Sequence, residues 1–259
     1  MGERRGVLLD IDGVLTVSWE ALPGAVETIA WLRREHVPFR LITNTTTHTR
    51  RDLATTLGDT GFDVAPDEIV TAVVATASYL GAPHPGARVF VLSDGDARED
   101  LGGVELVDVE AAEIVVLGGA SEDFTYPMMN RIFRRLAEGA ALVGMHRNLY
   151  WRTSEGWQLD GGAYIAGLEE ATGRRAAICG KPSAAFFEEA LRLLEVPASL
   201  AVMVGDDLVN DVLGAQGAGI TGVLVRTGKF LPTDLERAGT DPDHVLDSIA
   251  ELPAWLETR

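Results

Sequence analysis

Cysteine is almost missing: Cys179 is the only one in 259 residues. A lone cysteine excludes an intramolecular disulfide and a cysteine-rich zinc site, and it suits a reducing compartment. Positive charge is also scarce, with 22 Lys and Arg against 39 Asp and Glu and a formal net charge of −17. Such a balance repels a phosphate backbone at long range and offers no footprint for nucleic acid or anionic lipid. Neither nucleic acid nor membrane is therefore expected as a partner. Long apolar runs are lacking too. The one extended uncharged stretch, Ile69 to Ala87, is broken by Thr71, Thr76, Ser78, Pro83, His84 and Pro85, whereas a spanning helix needs about 20 mainly apolar residues. It reads as a helix followed by a turn. The charged opening residues lead straight into Val7-Leu-Leu-Asp10 without a signal-peptide core, so a cytoplasmic location is expected. The five histidines show no paired metal spacing, and neither a G-x-S-x-G elbow nor a P-loop is present, which leaves serine hydrolysis and P-loop chemistry without support.

What the chain does contain is short runs of Val, Ile and Leu alternating with longer stretches of helical period. The runs are Val7–Leu9, Phe39–Ile42, Val89–Leu92, Ile114–Leu117, Ala141–Met145, Ala177–Cys179, Ala201–Val204 and Gly222–Val225. Helices are expected over Ala25–Glu35, Arg50–Leu57, Pro127–Glu138, Ala184–Leu194 and Leu208–Ala215. Strands buried on both faces and joined by helical crossovers make an α/β fold with parallel sheet. Turn-rich segments at 81–86 and 171–175 bracket a middle section with strands and helices of its own. Within it Trp151 and Trp157 flank a hairpin turn at 152–156, and Tyr150, Trp151 and Trp157 are expected to fill the core of that section.

The notable polar residues of the outer segments follow directly on the apolar runs. Ligands of open parallel sheets bind outside the carboxyl ends of the strands, so these positions can converge. After the first run comes Asp10-Ile-Asp12-Gly13. Carboxylates two apart in an extended segment share a side and repel unless a cation or proton lies between them. This suits a nucleophile and an acid/base around a metal, and equally a solvated turn. Thr43-Asn44 after the second run fits an N-cap or a phosphoryl-binding helix start. Gly180-Lys181-Pro182 offers a surface lysine or a point charge for phosphate. Gly205-Asp206-Asp207, with Asp211 four residues on, gives helix capping or a cation site in which Asp206 is the ligand.

Taken together and in this order, the four motifs resemble those of the haloacid dehalogenase superfamily of phosphohydrolases along the whole chain. The insertion between the T-N and K-P motifs resembles the subclass with the larger, C2-type α/β cap. Thr43-Asn-Thr-Thr46, Met145-His-Arg-Asn-Leu-Tyr150 and Cys179-Gly-Lys-Pro-Ser183 carry a narrower likeness inside it. The resemblance implies a Rossmann-like core formed by residues 1–82 and 176–259 and a cap at 83–175. It implies a nucleophile at Asp10, an acid/base at Asp12, phosphate binding by Thr43, Asn44 and Lys181, and Mg²⁺ on Asp10, the Asp12 backbone carbonyl and Asp206. Asp207 and Asp211 would support that site. The expected activity is hydrolysis of small phosphorylated metabolites through an aspartyl-phosphate, with residues 160–164 reading the substrate and a homodimer among the expected states. A catalytically weak scaffold, or an enzyme specialised for pyrophosphate or phosphoamidates, stands as the alternative.

Overall fold

The computed structural model describes residues 5–81, 84–153 and 156–258. Its contacts divide the chain into two units: one formed by residues 1–43, 50–70 and 181–259, the other by 44–49 and 71–180.

The first unit is built on a six-stranded sheet in the order His244–Leu246, Thr221–Val225, Ala201–Gly205, Gly6–Asp10, Phe39–Thr43 and Ile69–Thr71. Pairing is parallel from His244–Leu246 across to Phe39–Thr43. Both central strands are buried along their whole length, as parallel strands covered on two faces require. Val7, Leu9, Val202, Val204, Val223 and Val225 turn to one face, where Ile29 and Leu32 of the helix Ala25–Arg34 pack on them. Their neighbours along each strand point the other way, and Leu224 joins Leu208 and Val212 there. Ser183 starts the helix Ala184–Leu194 by accepting the Phe186 N–H at 3.3 Å, a side-chain cap for an otherwise orphan donor.

The second unit carries a five-stranded sheet in the order Ala177–Ile178, Ala141–Gly144, Ile114–Leu117, Arg88–Leu92 and Glu105–Leu106, parallel throughout. Alternation is visible in its middle strand. Ile114 and Val116 pack with Ala72, Val73 and Leu80 of the helix Ala72–Gly81, while Val115 and Leu117 pack with Ile132 and Leu136 of the helix Tyr126–Ala137.

Several expectations need correction. The run from Ile69 opens with a strand, Ile69–Thr71, before its helix. Three buried residues are too few for hydrophobic period to separate strand from helix. The stretch Leu208–Leu213 is a π-helix, continued by an α-turn at Gly214–Gly217. The strand His244–Leu246 and a small hairpin, Thr16–Val17 with Glu20–Ala21, carried no clear pattern. The hairpin of Tyr150–Thr153 and Gly156–Leu159 forms, though its turn residues 154 and 155 lie outside the described residues. Its aromatics are not core: Tyr150, Trp151 and Trp157 are 60%, 49% and 69% exposed. A two-stranded ribbon has two faces, and here Tyr150 and Trp157 pack on each other edge to face at 5.3 Å. The expected joint at residues 82 and 83 also lies outside the described residues. The helix preceding it, Ala72–Gly81, groups with the second unit.

Candidate active site

The carboxyl ends of the Gly6–Asp10 and Ala201–Gly205 strands lie side by side, since Leu9 pairs with Val204. Asp10 ends the first strand and Asp206 follows the second. Asp211 reaches the same place from the π-helix, because the wide turn folds its side chain back over the strand end. Its Oδ2 accepts the Asp207 N–H at 3.2 Å, and any Cβ at position 205 would collide with it. This is a physical reason for glycine in the Gly-Asp-Asp motif. Insertions of this kind in helices are frequent at functional sites.

Carboxylate oxygens of Asp10, Asp206 and Asp211 lie within 4.8 Å of one another, and all three residues are buried, with Asp206 and Asp211 each 1% exposed. Lys181 stands among them. Its ammonium donates to Asp10 Oδ1 at 2.6 Å and to Asp211 Oδ1 at 2.7 Å. Burial opposes the lysine's charge, but the two carboxylates outweigh it and raise its pKa above the ordinary value. Burial also raises the acids: Asp206 to about 6 and Asp211 to about 7, the latter with help from Asp10. Asp10 is raised by burial too, against the lowering effect of Lys181.

Three carboxylates thus face one buried ammonium. Asp206 is held through Oδ2, which accepts the Lys229 N–H at 2.6 Å. Its other oxygen, Oδ1, is buried with no hydrogen-bond partner among the described residues. A buried carboxylate oxygen left this way is costly unless a cation completes it. An all-oxygen donor set suits a hard divalent ion such as Mg²⁺, which takes few protein carboxylates and keeps several waters. The residues present fit that ion.

Of the other expected site residues, Asp12 is exposed, two positions beyond Asp10. Thr43 is buried at the end of the strand whose Ile42 pairs with Asp10, and Asn44 begins the second unit. Asp207 is a helix cap: its side chain accepts from the backbone N–H groups of Val209 and Asn210 and from the Asn210 amide. It does not join the cluster of three. His146, in the second unit, is buried, accepts the Asn148 N–H on Nδ1 at 3.2 Å and lies 3.8 Å from Asp160.

Sequence reading missed the segment Thr227-Gly228-Lys229, which follows the strand Thr221–Val225. The Lys229 ammonium faces Asp10 and Asp206, whose charges outweigh partial desolvation and raise its pKa. A fifth strand end carrying Thr, Gly and Lys was the available signal.

Family models match two stretches of the chain: Haloacid dehalogenase-like hydrolase over residues 7–106 and HAD-hydrolase-like over residues 178–252. Haloacid dehalogenase-like hydrolase domain-containing protein 2 of Homo sapiens is 39% identical over 238 residues, covering 92% of this chain and 90% of its own. Phospholysine phosphohistidine inorganic pyrophosphate phosphatase of Rattus norvegicus is 38% identical over 253 residues, covering 95% and 92%. Among solved structures, the p-nitrophenyl phosphatase from Archaeoglobus fulgidus superposes with a TM-score of 0.91 at 30% identity, covering 98% of this chain and 99% of its own.

Proposed function

The chain belongs to the haloacid dehalogenase-like hydrolases and is a phosphatase of that family, and on that premise we propose that it hydrolyses small phosphorylated metabolites through an aspartyl-phosphate on Asp10, with Mg²⁺. The observation that carries this reading is the buried Lys181 between Asp10 and Asp211, together with an Asp206 oxygen that has no hydrogen-bond partner among the described residues.

In this mechanism Asp10 is the nucleophile. Its carboxylate attacks phosphorus in line and the leaving-group oxygen departs. Asp12, which is exposed, protonates that oxygen and then takes a proton from the water that cleaves the aspartyl-phosphate. Lys181 fixes the Asp10 side chain and, with Thr43 and Asn44, offsets negative charge on the phosphoryl oxygens, where most catalysis of phosphoryl transfer arises. Asp10, the Asp12 backbone carbonyl and Asp206 would hold Mg²⁺, and Asp211 would support them. When bound, the ion supplies further positive charge to the phosphoryl group. The second unit takes the part of the cap, and the relatives' names leave pyrophosphate and phosphoamidates in the substrate panel.

Asp10→Asn is the test, assayed with p-nitrophenyl phosphate and Mg²⁺. A loss on the order of 10³-fold or more is expected for a nucleophile, and retention of full activity would sink the assignment. A non-catalytic scaffold would show no EDTA-sensitive turnover on any phosphorylated compound. The homodimer rests on the hairpin: Tyr150 and Trp157 lie on one face with Leu159, which is 61% exposed. Such a patch marks an interaction surface, and Trp157→Ser is expected to shift the mass measured by light scattering from dimer to monomer. No described helix is long and apolar enough to cross a membrane, and a cytoplasmic location belongs to the same proposal.

A further inference from the structure

The Asp206 carboxylate is gripped from two sides by backbone. The strand preceding it, Ala201–Gly205, lies between Gly6–Asp10 and Thr221–Val225, and the turns that follow those two flanking strands meet over its end. Gly13 (φ +86°) comes from one and Gly228 (φ +61°) from the other. A Cβ on either would collide with Asp206 Oδ2, and a Cβ on Gly228 would come within 2.5 Å of the Gly13 Cα. The Thr227 hydroxyl donates to the Gly13 carbonyl and ties the turns together. The Lys229 N–H, one residue past Gly228, holds Oδ2. The remaining oxygen, Oδ1, is left buried and without a partner among the described residues.

From this geometry we infer that the Thr227–Lys229 turn is a clamp that presets Asp206 for a small divalent cation. The inference rests on the metal site in the proposed function and goes beyond it to residues that bind no ion themselves. A carboxylate fixed through one oxygen cannot swing to follow a larger ion. Mg²⁺ requires near-ideal octahedral ligands at short range, whereas Ca²⁺ accepts flexible and irregular ones. Thr227, Gly228 and the Lys229 N–H are thus positioning groups whose effect is read in ion selectivity. Residues that orient metal ligands typically change affinity by about 10–100-fold when altered.

The experiment is direct binding of Mg²⁺ and of Ca²⁺ to the full chain by calorimetry, with Mn²⁺ competition followed by electron paramagnetic resonance. Gly228→Ala is expected to weaken Mg²⁺ by about 10–100-fold and to weaken Ca²⁺ much less, so the ratio of the two affinities falls. Thr227→Val should do the same to a smaller extent, and Thr227→Ser, which keeps the hydroxyl, should restore the wild-type ratio. If Gly228→Ala fails to fold, the two Thr227 variants decide. A ratio unchanged in the variants, with only the melting temperature lowered, means that the turn supports the fold and overturns the clamp. If the wild-type chain binds none of these ions, the metal site itself is wrong and the clamp falls with it.

Discussion

Two buried acidic sites, one in each unit, are arranged in opposite ways. In the second unit Glu169 is buried, yet its carboxylate is fully used. Arg147 binds it at 2.6 and 2.9 Å, and the Ala176 N–H donates at 2.8 Å. Asp160 likewise accepts two backbone N–H groups on one oxygen, from Gly161 and Ala120. In the first unit two buried carboxylates, Asp10 and Asp211, share the ammonium of Lys181, and one oxygen of the third, Asp206, has no hydrogen-bond partner among the described residues. Completed charge of the first kind stabilises a fold. Incomplete charge of the second kind costs stability and leaves room for a ligand, so the contrast locates chemistry without reference to any motif.

The strongest way to break this contrast is to remove charge from each unit and compare. Asp206→Asn is expected to lower Mg²⁺-dependent turnover by on the order of 10³-fold, while the melting temperature in EDTA rises, because a buried carboxylate held near pKa 6 becomes a neutral amide. Glu169→Gln should behave in reverse, costing about 1 kcal/mol because the half-exposed Arg147 loses its charged partner, with the catalytic step on p-nitrophenyl phosphate intact. A melting temperature that fell in both would erase the distinction.

A smaller effect separates the units by pH. Asp206 and Asp211 have raised pKa values, about 6 and about 7, so the metal-free folded state holds protons that the unfolded chain releases near pH 4. Unfolding then sheds protons, and stability falls as pH rises from about 4 to about 7. Glu169 has a lowered pKa, chiefly through the Arg147 hydrogen bonds, so its contribution is present above the unfolded pKa and is lost as pH drops through the folded one. Thermal melts in EDTA should show the midpoint declining by roughly 5 °C between pH 5 and 7.5, and saturating Mg²⁺ should remove that decline. A midpoint that climbs over this window without metal would contradict the raised values.

The smallest effect tests whether stability in the first unit can rise away from the acids. Glu195 ends the helix Ala184–Leu194 in the left-handed conformation at φ 59°, where glycine is unstrained. Glu195→Gly is expected to add about 0.5 kcal/mol without changing turnover, as read in denaturant midpoint and kcat together.

Much of this was legible in the sequence because strand ends put chemistry at predictable places. Asp10, Asp206 and Lys181 were readable since each follows an apolar run, and the α/β class followed from the runs themselves. The turn at 227–229 was not, because what it supplies to Asp206 is a backbone N–H and closeness of approach, which any sequence carries silently. The exposed hairpin face was misread for a related reason. Hydrophobicity shows that Tyr150 and Trp157 prefer cover, but a short ribbon does not state what covers it. Asp207 and Asp211 looked alike at four-residue spacing, and only the π-turn sends one to cap a helix and the other to the lysine.

The sheet order of the first unit has a consequence for synthesis. Gly6–Asp10 is made before the second unit, yet one of its two neighbours, Ala201–Gly205, is translated only after the whole of that unit. During that interval one side of a strand that is fully buried in the finished fold has no partner to pair with, while the second unit can complete its own sheet from contiguous chain. Folding on the ribosome is therefore expected to complete the second unit before the first. The nascent first unit, with its open strand edge, is the stage at which chaperone engagement or aggregation would be decided.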